Sequence, residues 1–557
     1  MKRISFFPPS CGSLKLAVPG QPWIWLVCFW AILIATNAAA ATWYVDSSAT
    51  GANNGTNWTN AWTSLSSASG SSVHAGDTVY ISGGPAGSYR TYTVSSWIPK
   101  GGTAGNPITY QIGQDASHNG TAAFIGTGTW LHGSLAGIVI SGDAGDGKMH
   151  FTIANPSTGN PSDPTTWICP FATILEGYST GTDNYLRISY VNFGVNLTGS
   201  SLVLTSGGTG NEFDHIFCNF SNLTSGDIIF HLMNTAGTTW DSWKIHDNTM
   251  YVVHTYNDPG YGIDAIQGAG NGVSIYNNTV VSFPSAYSSS QHGDTFQILG
   301  GDYWKVYGNV SINVGDMGIY FAAWPGSSYN HIYVYNNIVI GTGMGIYFGS
   351  DNPGSTFNDI RILNNVVQGG YVFYGRSATG DTFTNSLVAN NIITGGGGVS
   401  LPNNSGTPSM DNVTLSDSLA TNSFVSYVAG SMHNDYHLKA AATSLIGQGT
   451  NLSSYFSTDF MGNTRPSSGN WDIGAYEYLQ AIPVMNAVLP SGANLIISGT
   501  NGSPNGNYIV LTSTNLVLPR TNWTRLSTNS FNGSGSFIFT NPITPNKPGL
   551  FYLLQSQ

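Results

Sequence analysis

Two short strings, 30 residues apart, carry the side chains best suited to chemistry. One is Gly262-Ile263-Asp264-Ala265-Ile266-Gln267; the other is Gly293-Asp294-Thr295-Phe296-Gln297, with His292 just before it. If that spacing places them on neighbouring strands, the two carboxylates lie about 4.8 Å apart. Like charges so close repel, so either one carboxyl keeps its proton near neutral pH or a cation sits between them. Calcium, which takes oxygen ligands, is the cation such a pair could hold, and Asp264 and Asp294 are the candidate metal ligands. His292, Asp294, Asp264 and Lys305 are the candidate catalytic residues. Gln267, Gln297, Tyr261, Trp304, Trp324, Tyr329 and Arg361 are the candidate substrate-binding residues. Flat apolar faces beside fixed polar groups suit a sugar. The bland alternative is structural: an Asp in a turn often caps its own backbone, and a lone His is usually just hydrogen-bonded. Asp264 and Gln267 are separated by an odd number of residues, so on an ideal strand they face opposite ways.

The elements that position these residues repeat. Asn192, Asn219, Asn248, Asn278, Asn309, Asn337, Asn365 and Asn391 follow one another at steps of 26 to 31 residues. Strand-forming strings surround several of them, as in Ile275-Tyr276-Asn277-Asn278-Thr279-Val280 and Val334-Tyr335-Asn336-Asn337-Ile338-Val339. Such a period predicts a solenoid of stacked coils, with the asparagines bonded amide to amide along its axis. Asp264 and Asp294 both fall 16 residues after a ladder asparagine. Ile245, Ile275, Val306, Val334 and Ile362 take the inward register. The position four before each asparagine holds His215, Lys244, Ser274, Lys305, Tyr333 and Arg361, facing outward. Tyr276, Tyr307 and Tyr335, two before it, are expected to stack.

Composition agrees. Only 8% of the 557 residues are charged and 70 are glycine, which suits short strands joined by tight turns. Lys2, Arg3, an apolar run over residues 23–35 and the small residues 37–41 read as a secretory signal. Without it the chain keeps 13 basic against 27 acidic residues, a poor balance for binding nucleic acid. The run is too short for a comfortable membrane span. Cys169 and Cys218 remain, 49 residues apart, as two free thiols or a disulfide.

Trp43-Tyr44-Val45-Asp46, Ala75-Gly76-Asp77-Thr78-Val79 and residues 102–110 resemble the opening segments of secreted right-handed parallel β-helix proteins of the pectate-lyase-like superfamily. Asp435-Tyr436-His437-Leu438, residues 459–466 and residues 471–477 resemble the terminal module of bacterial choice-of-anchor β-helix proteins, which closes the helix in that family. The expected fold is all-β: a right-handed parallel β-helix, a single-stranded solenoid, followed by a small antiparallel β-sandwich. The expected division is a signal peptide at 1–41, an N-terminal cap and first coil at 42–115, the β-helix at 116–430, a choice-of-anchor-like cap at 431–480 and the sandwich at 481–557. Residues 60–69 are expected to form a short amphipathic helix plugging the open end.

The resemblance implies a secreted or surface-associated monomer acting on an extracellular polysaccharide, with no nucleic-acid partner and no membrane span after signal cleavage. The leading expectation is a polysaccharide lyase cleaving a uronic-acid-containing polymer by β-elimination. A glycoside hydrolase using paired aspartates and a non-catalytic glycan-binding protein or adhesin are the alternatives. No complete Lys/Arg catalytic pair of the lyase kind can be matched.

Overall fold

The computed structural model describes residues 39–556 other than 161, 170, 172, 177–182, 197–202, 206, 222–228, 233–238, 254–263, 284–293, 313–316, 323–327, 342, 350–353, 376–380, 402–405, 480–482, 503–505 and 544–548. Nearly all of the expected signal, together with Tyr261, His292 and Trp324, lies outside the described residues. No helix among the described residues is long and apolar enough to cross a membrane.

The chain folds as a parallel β-helix. One coil runs Ser274–Tyr276, Thr279–Phe283 and Asp294–Gly300, and the next begins at Lys305–Tyr307. The first two strands of each coil join one sheet and the third joins a second sheet, all pairing in parallel with their equivalents. Ile245, Ile275, Val306, Val334 and Ile362 stack in register and are fully buried. Burying each such side chain contributes about 1.5–3 kcal/mol, and only a neighbouring coil can bury it completely.

The asparagine ladder explains the recurrent Asn-Asn doublet. The first residue of the doublet is left-handed: φ is 55° at Asn277, 53° at Asn336, 52° at Asn364 and 58° at Asn390. Asparagine tolerates that region better than most residues. The second is the rung. Asn248 Nδ2 donates to Asn278 Oδ1 at 2.9 Å, and Asn278, Asn309, Asn337 and Asn365 each donate to the next rung at 3.0 Å. Asn391 continues to Asn412 at 2.7 Å, one rung beyond those expected. The two earliest expected rungs are not rungs. Asn192 Oδ1 accepts from Gly194 N in its own turn. Asn219 lies opposite Tyr251, three positions past the place that faces Asn248.

At the N-terminal end Asp77 fastens the first strand. Its carboxylate accepts from Trp43 Nε1 at 2.9 Å and from Ala41 N at 2.7 Å, which joins the Trp-Tyr-Val-Asp and Gly-Asp-Thr-Val strings. The plug is shorter than expected, a 3₁₀ turn at Leu65–Ser69 burying Leu65 and Ala68. Its serines compete for the backbone and disfavour a longer α-helix.

Residues 415–478 pack along the flank of the helix. Phe424, Tyr436, Leu438, Leu445, Ile473 and Tyr476 bury the outward side chains Ile338, Ile340, Val366 and Ile392. That is why Ile338–Ile340 reads as an unbroken apolar run: both faces of the strand are covered. The ladder turns hold this segment too. Asn336, Asn364 and Asn390 donate to the carbonyls of Thr458, Asp472 and Thr450. Arg465, fully buried, pairs with Glu477 at 2.7 Å and donates to Asn336 Oδ1. Cys169 and Cys218 are buried free thiols.

The remaining chain forms two small antiparallel three-stranded sheets. Val484–Ser491, Asn494–Thr500 and Phe537–Pro542 make one; Asn507–Ser513 between Thr524–Ser530 and Phe551–Ser556 makes the other. Ile497, Tyr508, Val510, Phe531 and Phe537 share one apolar cluster.

Candidate functional site

The outward face of the second sheet brings Asp264, Gln267, Asp294 and Gln297 together. Ile266 pairs with Phe296 and Gln267 with Gln297, so the two aspartates occupy equivalent positions on adjacent coils. Asp294 N donates to Asp264 Oδ1 at 2.8 Å, and Gln267 Nε2 donates to Asp264 Oδ2 at 3.0 Å. Gln267 also bonds Gln297. Asp264 is 5% and Asp294 2% exposed. The odd-spacing problem is resolved at the strand's start: residues 264 and 265 precede the strand Ile266–Asn271, so the ideal alternation does not reach Asp264.

The register extends this face into a row. His231 pairs with Gln267, and beyond Gln297 come Tyr320 and Tyr347. The two tyrosine rings stack at 4.9 Å. Burial holds the His231 imidazole below its usual pKa, which favours the neutral ring at pH 7. His231, Tyr320 and Tyr347 were not singled out from the sequence. The signal is a two-residue word repeated once per coil, an inward apolar residue followed by an outward one: Phe230-His231, Ile266-Gln267, Phe296-Gln297, Ile319-Tyr320, Ile346-Tyr347.

Four other expected site residues lie elsewhere. Trp304 is fully buried beside Val306, its Nε1 donating to Gly270 O at 2.8 Å. Tyr329 is also fully buried, stacked on Phe357 and donating to Ala322 O. Both are core side chains and offer a ligand no face. Lys305 and Arg361 stand on the first sheet, in an outward row with Lys244, Ser274 and Tyr333. They do not share the face of Asp294.

That first sheet carries its own polar cluster. Arg187, Glu212 and Lys244 follow in register, as do Asp214 and His246. Arg187 Nε lies 2.8 Å from Asp214 Oδ2, Lys244 Nζ 3.3 Å from Glu212 Oε2, and His246 Nε2 3.4 Å from Glu212 Oε1. His246 hydrogen-bonding, with Arg187 and Lys244 nearby, pulls Glu212 down to about 2. Burial opposes charge on His246, but its bonds to Glu212 and Asp247 outweigh it and raise its pKa. Glu212, Asp214 and His246 have ligand atoms within 4.8 Å of one another. Arg187 and Lys244 already supply the positive charge there, so the cluster reads as an ion-pair network. His246 then begins a stack through Tyr276, Tyr307 and Tyr335 to Phe456, with centroid steps of 4.4, 4.9, 4.8 and 4.5 Å. The expected tyrosine stack is therefore present, longer by one ring at each end.

Among the described residues, few oxygen donors stand ready for calcium at the aspartate pair. Calcium takes about 6–8 oxygen ligands. Both oxygens of Asp264 already accept hydrogen bonds, and Gln297 Oε1 accepts from Gln267. No step is assigned to a metal.

No protein-family model matches the chain, and no curated protein matches it. Among solved structures, a complex of XylC with xylose is similar at 12% identity over 92% of this chain and all of that one, with a TM-score of 0.34. Endopolygalacturonase I from Stereum purpureum, complexed with two galacturonate, is 12% identical over 61% of this chain and 95% of its own, with a TM-score of 0.25. ORF18 of Geobacillus virus E2 is 11% identical over 86% of this chain and 68% of its own, with a TM-score of 0.17. At these TM-scores the fold rests on the strand register itself, and any function on the chemistry of the site.

Proposed function

We propose that this protein is a carbohydrate-active β-helix enzyme that binds an extended glycan at the outward row His231, Gln267, Gln297, Tyr320 and Tyr347, of which Gln297, Tyr320 and Tyr347 present only their edges at 8%, 8% and 4% exposure, and hydrolyses it with Asp264 and Asp294. The observation that carries this reading is the placement of two carboxyl groups at equivalent positions of adjacent coils, three residues before that row and hydrogen-bonded to it through Gln267. Strands stack about 4.8 Å apart. Carboxyl pairs separated by about 5–5.5 Å serve double-displacement hydrolysis with retention of anomeric configuration. Asp264, held by two hydrogen-bond donors, is suited to remain the carboxylate and attack the anomeric carbon. Asp294 is suited to protonate the leaving oxygen and then to activate water. Amide and phenol groups in the row fit hydroxyls of a neutral sugar. Among the described residues the row holds no Lys or Arg to neutralise a uronate.

Export, a cell-surface location and action as a monomer belong to the same reading. They rest on the sequence of residues 1–41 and on the glycan as substrate. The lyase alternative would draw its base from His292, outside the described residues. A panel of neutral and uronate polysaccharides, followed for reducing ends and for ultraviolet absorbance of unsaturated uronates, separates the two. Reducing ends alone support hydrolysis; a rise in both signals overturns it in favour of β-elimination.

A further inference from the structure

The C-terminal sheets differ in charge from the β-helix before them. Residues 481–557 contain Arg520, Arg525 and Lys547 and no Asp or Glu, while all 27 acidic residues lie earlier. The same region exposes apolar side chains at one end of a sheet. The turn joining Ser513 to Thr524 carries Leu516, Val517 and Leu518, which are 61%, 89% and 40% exposed. Phe551 pairs with Ser513, and Thr524 with Thr512, so the exposed Leu550, Phe551 and Leu526 belong to that end as well. The turn is built rather than loose. Asn515 Oδ1 accepts from Val517 N at 2.9 Å, Ser513 Oγ accepts from Asn515 N at 3.0 Å, and Trp523 Nε1 donates to Leu518 O at 3.1 Å. Arg520 and Arg525 stand exposed beside it.

We propose that this end of the C-terminal sheets is a peripheral anchor that dips into an anionic lipid surface. Water penalises three adjacent exposed aliphatic side chains; the acyl boundary of a bilayer does not. Arginine and tryptophan at the edge of such a tip suit the headgroup level, where guanidinium groups meet phosphates. Charge complementarity selects the lipid. The cationic sheets are drawn to an anionic leaflet while the acidic remainder is repelled, which presents the tip first. The anchor is independent of the glycan-cleaving row and stands if that reading fails.

The test uses residues 40–557, which form one compact unit. Flotation is run with phosphatidylcholine vesicles, with and without phosphatidylglycerol. Binding is expected only where phosphatidylglycerol is present, weakening as salt rises. The L516S/V517S/L518S variant should bind about tenfold more weakly at an unchanged Tm, since the replaced side chains are exposed. R520Q/R525Q should lose the preference for phosphatidylglycerol. No binding to anionic vesicles, or equal binding by the serine variant, overturns the anchor. A dimer that the serine variant dissolves, without vesicle binding, also overturns it and assigns the patch to a second copy.

Discussion

Asn248 Oδ1 accepts its hydrogen bond from the backbone N of Ile216 at 2.8 Å, not from Asn219. The ladder therefore starts at Asn248, and the coil before it is registered three residues earlier than its own asparagine suggests. Asn309, in mid-ladder, serves Asn278, Asn337 and the Ile275 carbonyl at once. Asn309→Ala strands several buried polar groups, at a cost of about 2–4 kcal/mol. Among the described residues Asn219 Oδ1 is buried without a partner, so Asn219→Ala should cost under about 1 kcal/mol. Urea denaturation of both variants checks the contrast.

That three-residue offset is also why part of the molecule was illegible. Counting back four residues from Asn219 gives His215, whereas the residue opposite Lys244 is Glu212. The error hid the Glu212, Asp214 and His246 cluster, although every member was in plain sight. Where the rungs are true, from Asn248 to Asn391, inward and outward positions followed from the sequence. Trp304 was misplaced for another reason. It stands two residues before Val306, on the inward parity, so strand alternation sends the indole into the core whatever its affinity for sugars. The docking of residues 415–478 on the helix flank depends on contacts between segments up to 129 residues apart, and no local period encodes that.

Asp183 closes a second, shorter ladder. Its Oδ1 accepts from Leu135 N, as Asn211 Oδ1 accepts from Leu186 N one coil on. Its Oδ2 is buried with no partner among the described residues, and burial pushes the carboxyl up to about 7. A folded-state value above the unfolded one gives full stability below pH about 4 and loses it as pH rises to about 7. Asp183→Asn should be near neutral at pH 4 and stabilise at pH 8, by about 4 kcal/mol at most. Denaturation midpoints at the two pH values decide it; a variant equally stable relative to the parent at both would exclude a titrating Asp183.

Cys169 and Cys218 are free, and burial pushes the Cys169 thiol up to about 12. Neither should react with Ellman's reagent in the folded protein, and both should react in guanidinium. A native protein that yields no thiol even when unfolded would mean a disulfide.

Arg465 ties residues 415–478 to the helix through Asn336 and Glu477. Arg465→Met leaves Glu477 buried without its partner and should cost about 3–5 kcal/mol. Protease cleavage within residues 440–478, absent in the parent, is the expected signature.

The central claim is that Asp264 and Asp294 act together on a bound glycan. Steady-state hydrolysis of the best substrate from the panel, comparing the parent with Asp264→Asn and Asp294→Asn, tests it most directly. Each variant should lose about a thousandfold or more in kcat with little change in KM, because neither amide can attack or exchange a proton. Parent-like turnover in either variant, folded to the same Tm, would contradict it.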